Sequence, residues 1–426
     1  MGQTTNRKLL DFIEKAPTAF QAVEQMEERL STAGFQEVFE NRSWKIVPGG
    51  KYYVTRNHSA LIAFSVPENI LEKSDLCRFH IMASHSDSPC FKIKENPEIK
   101  GPGSYVKLNV EKYGGMIMSS WLDRPLSAAG RIVIRKDGQI VEKNIQIKKD
   151  LMVIPGLAIH MNREVNDVCR YNAQKDMLPL FAGDGKTGFG ELLARETGIC
   201  EKEILGMDMY LYNRMPGCVW GAAEEFISAP RLDDLQCAFA SLEGFLSADR
   251  KGSIAVHCVL DNEEVGSGTR QGAASVFLRD TLRRILLNLG MDEERYMMAM
   301  ADSFMVSADN AHAVHPNYSE KCDPVNQPEL NKGIVIKYHA GQKYCTDGVS
   351  AAVFREMCEK AGVPYQTFVN RSDMAGGSTL GNISSTQAPV KAVDIGLPQL
   401  SMHSAFETAG AADTEYLIRA ARVLFA

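Results

Sequence analysis

Apolar positions along the chain recur in two rhythms. In the outer segments Val23, Met26 and Leu30 fall at helical spacing, as do Leu235, Phe239, Leu242 and Leu246, and Thr281–Leu289 and Glu415–Phe425 read as amphipathic helices. Among them lie short apolar runs that predict buried strands, Cys77–Ala83, Ile254–Leu260 and Val393–Gly396, and a further Met-rich run, Tyr296–Ser307. Over residues 92–218 the rhythm changes to two-residue alternation, as in Gly130-Arg131-Ile132-Val133-Ile134-Arg135, broken by Gly101-Pro102-Gly103, Gly114-Gly115 and Lys136-Asp137-Gly138-Gln139. Asp137-Gly138 predicts a hairpin turn there. The pattern as a whole predicts an α/β fold: a mixed sheet flanked by helices, built from residues 1–91 and 219–426, and interrupted by a β-rich inserted domain at 92–218. A chain of 426 residues exceeds what one compact core usually serves, which favours the same division.

Several of the apolar runs end on residues that bind metals. Ile254–Leu260 leads into Asp261-Asn262-Glu263-Glu264-Val265-Gly266, which sets adjacent carboxylates just before a glycine turn. One can face a metal and the other serve as a base. Glu-Glu pairs are ordinarily solvated surface, so the pair gains meaning from its company. Cys77–Ala83 runs into Ser84-His85-Ser86-Asp87, where the aspartate can turn back onto the imidazole and hold its tautomer. Asp233-Asp234 precedes a helical pattern; one acid can cap that helix, which leaves the other spare. Asp309-Asn310, a common turn pair, follows the Met-rich run, and His403 follows Val393–Gly396.

Strands of a parallel sheet gather their C-terminal ends along one edge, where ligands bind. His85, Asp233, Glu264, Asp309 and His403 are therefore expected to converge. Two imidazoles and three carboxylates with no thiolate suit zinc, cobalt or manganese, and with one aspartate shared they suffice for two divalent ions with coordination positions to spare.

These residues carry a specific resemblance. Leu9-Leu10-Asp11-Phe12, Pro17-Thr18-Ala19-Phe20, Arg231-Leu232-Asp233, the block Ala308-Asp309-Asn310-Ala311-His312-Ala313-Val314-His315-Pro316-Asn317-Tyr318 and Met402-His403-Ser404 resemble the aspartyl aminopeptidase family of metallopeptidases, across essentially the whole chain. The resemblance implies the co-catalytic zinc exopeptidase fold with an inserted dimerisation and lid domain. It implies that Asp233 bridges two divalent ions, zinc before cobalt or manganese, with His85 and Asp309 on one and Glu264 and His403 on the other. Family members often carry Asn after the bridging acid; Asp234 stands there in this chain, so either acid could bridge. Glu263 is implied as general base and Asp87 as the orienting partner of His85. His160, by sequence only a histidine after an apolar run, is implied to reach a neighbouring subunit's site in a tetrahedral dodecamer. Lys337 is implied to meet an acidic first residue of a peptide substrate, where by itself it reads as an edge-strand lysine. Some relatives prefer neutral first residues. The Gly376-Gly377-Ser378-Thr379 turn resembles the family's substrate loop.

Bulk properties add exclusions. A formal net charge of -6 gives no basic stripe for nucleic acid. No apolar stretch reaches the roughly 18 to 20 residues that span a bilayer, and Met1–Asp11 lacks the features of a secretory signal, so no membrane is expected. The ten cysteines are scattered, several within apolar runs, which points to reduced thiols and the cytoplasm. Two rival readings remain: a non-catalytic peptide-binding relative, against which no base or ligand is missing, and a cysteine hydrolase built on Cys345 or Cys322. Chelation separates the catalytic classes. Peptidase activity is expected to vanish with a metal chelator and to ignore a thiol blocker, and the opposite pattern would establish the cysteine reading.

Overall fold

The computed structural model describes residues 2–72 and 77–426; Met1 and residues 73–76, inside the expected segment 1–91, lie outside the described residues. The chain divides into two compact units. The first comprises the chain up to Asp87, Gly217–Met402 and Glu407–Ala426; the second comprises Ser88–Pro216 with His403–Phe406.

The first unit is built on a nine-stranded sheet in the order Gln36–Glu37, Lys51–Arg56, Ala60–Ser65, Ile254–Leu260, Phe79–His85, Phe304–Ala308, Lys391–Gly396, Ile334–Tyr338 and Tyr365–Val369. The four strands from Ile254–Leu260 to Lys391–Gly396 are mutually parallel. Both faces of such strands are covered, which explains their near-continuous apolar sequences. Alternate residues serve opposite faces. Met82, Val259 and Val306 join Leu9, Phe12, Val23, Met26, Leu235, Phe239 and Leu417 in one core, whereas Ile81, Val256 and Met305 join Phe277, Leu282, Ile285 and Met300 in another.

Among the described residues, five long helices contribute to the first core: Gly2–Lys15, Ala19–Thr32, Leu232–Ser247, Gly348–Ala361 and Asp413–Leu424. Phe277–Asn288 and Glu293–Asp302 contribute to the second. The Met-rich run Tyr296–Ser307 is shared between two elements. Its first part belongs to Glu293–Asp302, where Met297 and Met298 are exposed and Met300 is buried, and only Phe304–Ala308 is strand. Helical spacing of Tyr296, Ala299 and Met300 competes with the apolar run and wins.

A smaller five-stranded sheet in the same unit runs Cys218–Trp220, Phe226–Ala229, Glu407–Gly410, Pro398–Leu400, Ala311–His312. Its Pro398–Leu400 and Glu407–Gly410 strands form an antiparallel pair, with Gln399 opposite Ala409 and Leu400 opposite Thr408. Residues 401–406 connect them.

The second unit is an antiparallel sheet of six strands: Gln139–Gln146, Leu126–Lys136, Ile204–Asn213, Cys90–Lys100, Val106–Tyr113 and Leu180–Ala182. Lys136 pairs with Gln139 across the expected hairpin turn, and Asp137 and Gly138 both take positive φ, 51° and 77°, as a two-residue turn of this hand requires. Phe91, Leu108, Ile132, Met209 and the helix Phe189–Thr197 supply its core. Among the described residues no helix is long and apolar enough to cross a membrane.

One glycine ties fold to site. A Cβ at Gly396 would stand 2.0 Å from the carbonyl oxygen of Asp309 and 2.9 Å from the carbonyl carbon of Asn310. The Asp309 N–H donates to Ile395 O at 3.0 Å, so the strand end and the acidic turn are pressed together. Gly396→Ala is expected to destabilise the protein by at least about 1–3 kcal/mol and to displace Asp309, read as a lowered melting temperature together with reduced zinc content. Unchanged values for both would show that the turn yields freely.

Candidate metal centre

The strand Phe79–His85 ends on His85 in register with Leu260, and the Ser86 N–H donates to Leu260 O at 2.9 Å. The two strand ends thus leave the sheet together. Asp87 then joins their loops: its Oδ1 accepts the Glu263 N–H at 3.1 Å and its Oδ2 accepts the Glu264 N–H at 3.2 Å. The short turn Glu263–Val265 is bounded by left-handed residues, Asn262 (φ 61°) and Gly266 (φ 92°). Asn262 Oδ1 accepts from Thr269 Oγ1 and Gln271 Nε2, both at 2.8 Å, and closes the turn from its far side.

His85 is buried, with its two ring nitrogens facing different groups. Nδ1 lies 3.1 Å from the Asp87 carbonyl oxygen and 3.4 Å from Asp87 Oδ1, while Nε2 lies 3.4 Å from Asp233 Oδ1 and 3.8 Å from Asp309 Oδ1. Donation from Nδ1 to Asp87 leaves the Nε2 lone pair aimed at the two aspartates, the usual posture of a metal-binding histidine. Atoms of His85, Asp233, Asp234 and Asp309 lie within 4.8 Å of one another, and so do atoms of His85, Glu263 and Glu264.

The acid pair divides its work. Both Asp233 and Asp234 have non-helical backbone angles at a kink in the helix, and Arg231 precedes them in the left-handed region (φ 59°) with its guanidinium bonded to Ile13 O and Ala16 O. The Asp233 carboxylate faces the His85 ring, while Asp234 Oδ2 accepts the His85 backbone N–H at 3.1 Å. The Asp233 N–H in turn donates to Glu407 Oε2 at 3.0 Å. Lys337 is no edge lysine pointing to water. It is buried, with Nζ 3.0 Å from Asn310 O and 3.6 Å from Asp309 Oδ2.

His403 lies in the short segment that belongs to the second unit, its Nδ1 against Gly115 O. His160 is also in the second unit, exposed on the Ile159–Met161 turn and outside the clusters around His85.

Two buried polar residues beside this centre, Asn310 and Glu407, are not singled out as site residues by the sequence reading. Asn310 Nδ2 donates to Leu232 O, Gln236 Oε1 and Gln399 Oε1, and its Oδ1 accepts from the Cys237 thiol. Glu407, buried at the foot of the 401–406 connection, is a further example. They resemble ordinary surface amides and acids in sequence, because the partners that bury them are distant along the chain.

Electrostatics describes a site short of positive charge. Burial, with Asp309 and Asp87 close by, pushes Glu263 up to about 8 against the pull of His85. Burial and the neighbouring Asp233 carboxylate raise Glu264 well above the usual carboxylate range, and burial does the same to Asp234. Burial alone would depress His85, but the carboxylates of Asp234, Asp233, Asp309 and Asp87 overcome it and raise His85 well above its ordinary value. Lys337 shows the same contest: burial lowers its pKa, and the Asp309 charge more than restores it. A set of imidazole and carboxylate donors with unneutralised charge fits divalent cations of the zinc type. The rival thiols fit catalysis poorly, since burial raises the pKa of both Cys345 and Cys322 and so disfavours the thiolate.

Beside these residues in the chain, a cavity of about 300 Å³ is lined by His312, Tyr318, Phe368, Asn370, Gly376 and Met402 among others.

Known proteins share this construction. The family described as aminopeptidase I zinc metalloprotease (M18) matches residues 12–425. A probable M18 family aminopeptidase 2 of Clostridium acetobutylicum is 45% identical over 418 residues, covering 96% of this chain and 96% of its own. Of solved structures, Ape4 in its complex with Nbr1 is similar with a TM-score of 0.95 at 35% identity, covering 100% of this chain and 86% of that one. The S. cerevisiae mApe1 dodecamer gives 0.86 at 26% identity, covering 99% and 96%. The chain belongs to the M18 family of zinc aminopeptidases, the aspartyl aminopeptidase type, and is a metallo-aminopeptidase.

Proposed function

We propose that this aminopeptidase holds two divalent ions, zinc in preference to cobalt or manganese, and removes acidic residues from the N-termini of peptides. His85, Asp233 and Asp309 hold one ion; Asp233, Glu264 and His403 hold the other. The observation that carries the reading is the grip of Asp87, which faces the His85 ring and accepts the backbone N–H groups of Glu263 and Glu264. One carboxylate thereby fixes a ligand of the first ion, a ligand of the second and the base. Support for His403 comes from the chain: it lies in the connection whose foot, Glu407, accepts the Asp233 N–H.

Bound at these residues, divalent ions would make an attacking water more acidic and polarise the scissile carbonyl. Glu263 takes the water's proton on a carboxylate oxygen and passes it to the departing amine. Asp87 holds the proton on His85 Nδ1, so that Nε2 stays an acceptor. The cavity lined by His312, Phe368, Asn370 and Gly376 receives the first side chain, and Lys337 supplies positive charge beside it.

A second reading, preference for neutral first residues, is favoured by one observation: Lys337 already faces Asp309 at 3.6 Å and Asn310 O at 3.0 Å. We read the protein further as a cytoplasmic homo-oligomer, a dodecamer in the manner of S. cerevisiae mApe1, with His160 serving a neighbouring subunit and the inserted domain 92–218 making the contacts. The exposed apolar side chains Leu157, Ile159 and Met161 around His160 support a protein partner there, and ten free cysteines support a reducing compartment.

Two experiments test these assignments. Glu263→Gln is expected to retain its zinc and lose about 10²–10⁴-fold in kcat; near-normal turnover would remove Glu263 from the role of base. Peptides differing only in the first residue are expected to be cleaved in the order Asp and Glu before Ala and Leu. Lys337→Gln is expected to reduce that preference by about tenfold or more, since a buried carboxylate left unpaired costs at least about 1–3 kcal/mol. Equal rates across the panel in the parent enzyme would favour the neutral reading.

A further inference from the structure

Two irregular segments flank the cavity, and one buried carboxylate fastens both. Asp394 sits near the end of the Lys391–Gly396 strand with no exposed surface. Its Oδ2 accepts the Cys345 N–H at 2.6 Å and its Oδ1 accepts the Thr379 hydroxyl at 2.8 Å. The Asp394 N–H donates to Thr346 Oγ1 at 2.9 Å, which ties the first segment a second time. On the other side, a Cβ at Gly381 would come within 2.5 Å of Asp394 Oδ1 and 2.7 Å of Ser307 Oγ. Absence of a side chain there lets the short helix Leu380–Ser384 lie flush on the carboxylate.

The two segments also hold each other, because Lys343 Nζ donates to Gly376 O at 2.6 Å. Both lead to the cavity. Gly376 and Gly377 form part of its wall just before Thr379. Tyr344, buried next to Cys345, packs edgewise on the cavity residue Phe368 at 6.4 Å between ring centres, and Lys337 Nζ lies 5.5 Å from the Tyr344 ring.

We propose that Asp394 is a positioning residue that sets the shape of the cavity through Thr379 and Cys345, and thereby sets which first side chains the enzyme accepts. The proposal rests on the reading that this cavity receives the first residue. Its logic is one of donors. Two segments without strand or long-helix ladders each present a donor inward, and a carboxylate has two oxygens to take one from each. An apolar residue at 394 would leave both donors buried and unsatisfied, and a shorter acceptor would reach one segment only. Asp394 touches neither substrate nor the reacting atoms, so its influence on the reaction is expected in binding and selectivity.

The test uses the full-length enzyme, zinc content, melting temperature, and kcat and KM on peptides beginning with Asp, Glu, Ala and Leu. Thr379→Val keeps the side-chain volume and deletes the donor. It is expected to raise KM for the preferred first residue by about tenfold, the equivalent of one lost hydrogen bond, with kcat within about twofold, zinc unchanged and the ranking of first residues flattened. Thr379→Ser, which keeps the hydroxyl, is expected to restore KM and ranking. Asp394→Asn offers one oxygen instead of two and is expected to fall in the same direction; if it does not fold, the Thr379 pair decides alone. KM and ranking unchanged in Thr379→Val would overturn the proposal. So would a parallel fall of kcat, zinc and melting temperature, or equal defects in the Val and Ser variants, since these mark a merely structural contact. Failure of the underlying reading shows separately: the parent enzyme would not distinguish first residues at all.

Discussion

Mutual repulsion among carboxylates is the constraint this catalytic unit is organised around. Asp87, Asp233, Asp234, Asp309, Glu263 and Glu264 surround one buried imidazole. Two like charges about 4 Å apart repel by roughly 4 kcal/mol even at an effective dielectric of 20, so such a gathering persists only if each member is answered. Some answers are local. Asp87 takes two backbone N–H groups and the His85 ring, Asp234 takes the His85 backbone, and Asp309 has the Lys337 ammonium. These do not balance the charge, and the raised proton affinities of Glu263, Glu264 and Asp234 record the remainder. A surplus of buried negative charge agrees with membership of a zinc-aminopeptidase family.

The sheet makes such crowding possible. Four parallel strands leave the core at one edge, and the turns that follow them are pinned by hydrogen bonds to neighbouring strands, such as Ser86 to Leu260 and Asp309 to Ile395. Beneath them Asn310 spends its amide on three acceptors and takes a thiol in return, so the side chain beside Asp309 is held from all sides, and the Asn310 backbone O accepts from Lys337 Nζ. Groups held this way cannot relax apart when their charges repel. Rigid backbone converts an unfavourable placement of acids into a preformed demand for cations.

Residues whose chemistry coincides with a strand end were legible in the sequence, because the apolar run announces the strand and parallel topology announces the edge. His85, Glu264 and Asp309 are of that kind. The helical and alternating rhythms likewise marked the α/β framework and the Asp137-Gly138 hairpin. Legibility failed where a partner lies far away along the chain. Glu407 meets Asp233 from 174 positions off, and Asn310 meets Gln399 from 89. Nothing local distinguishes such residues from surface polar ones. The Met-rich run, interrupted by Asp302 and Ser303, is shared between a helix and a strand, with Met297 and Met298 on the outside of the helix. At Asp233-Asp234 the backbone leaves helical geometry at both residues, and the two acids meet the ring and the backbone N–H of His85, which no local pattern announces.

If Lys337 meets the first side chain as proposed, the same electrostatics bears on specificity. Its ammonium has three hydrogens. Asn310 O takes one at 3.0 Å, Asp309 Oδ2 stands at 3.6 Å, and the face of Tyr344 lies 5.5 Å away. The ring is the weakest of these, worth about 0.5–1 kcal/mol, and up to about 2 kcal/mol when desolvated. A carboxylate brought in by a peptide would outcompete the ring for the remaining hydrogen without dislodging the other two contacts. A neutral side chain would leave the arrangement as it stands. On the proposed reading, discrimination by Lys337 would be the difference between a charge-assisted hydrogen bond and a cation–π contact, and would be sensitive to whatever fixes Tyr344, which precedes the residue whose N–H is held by Asp394.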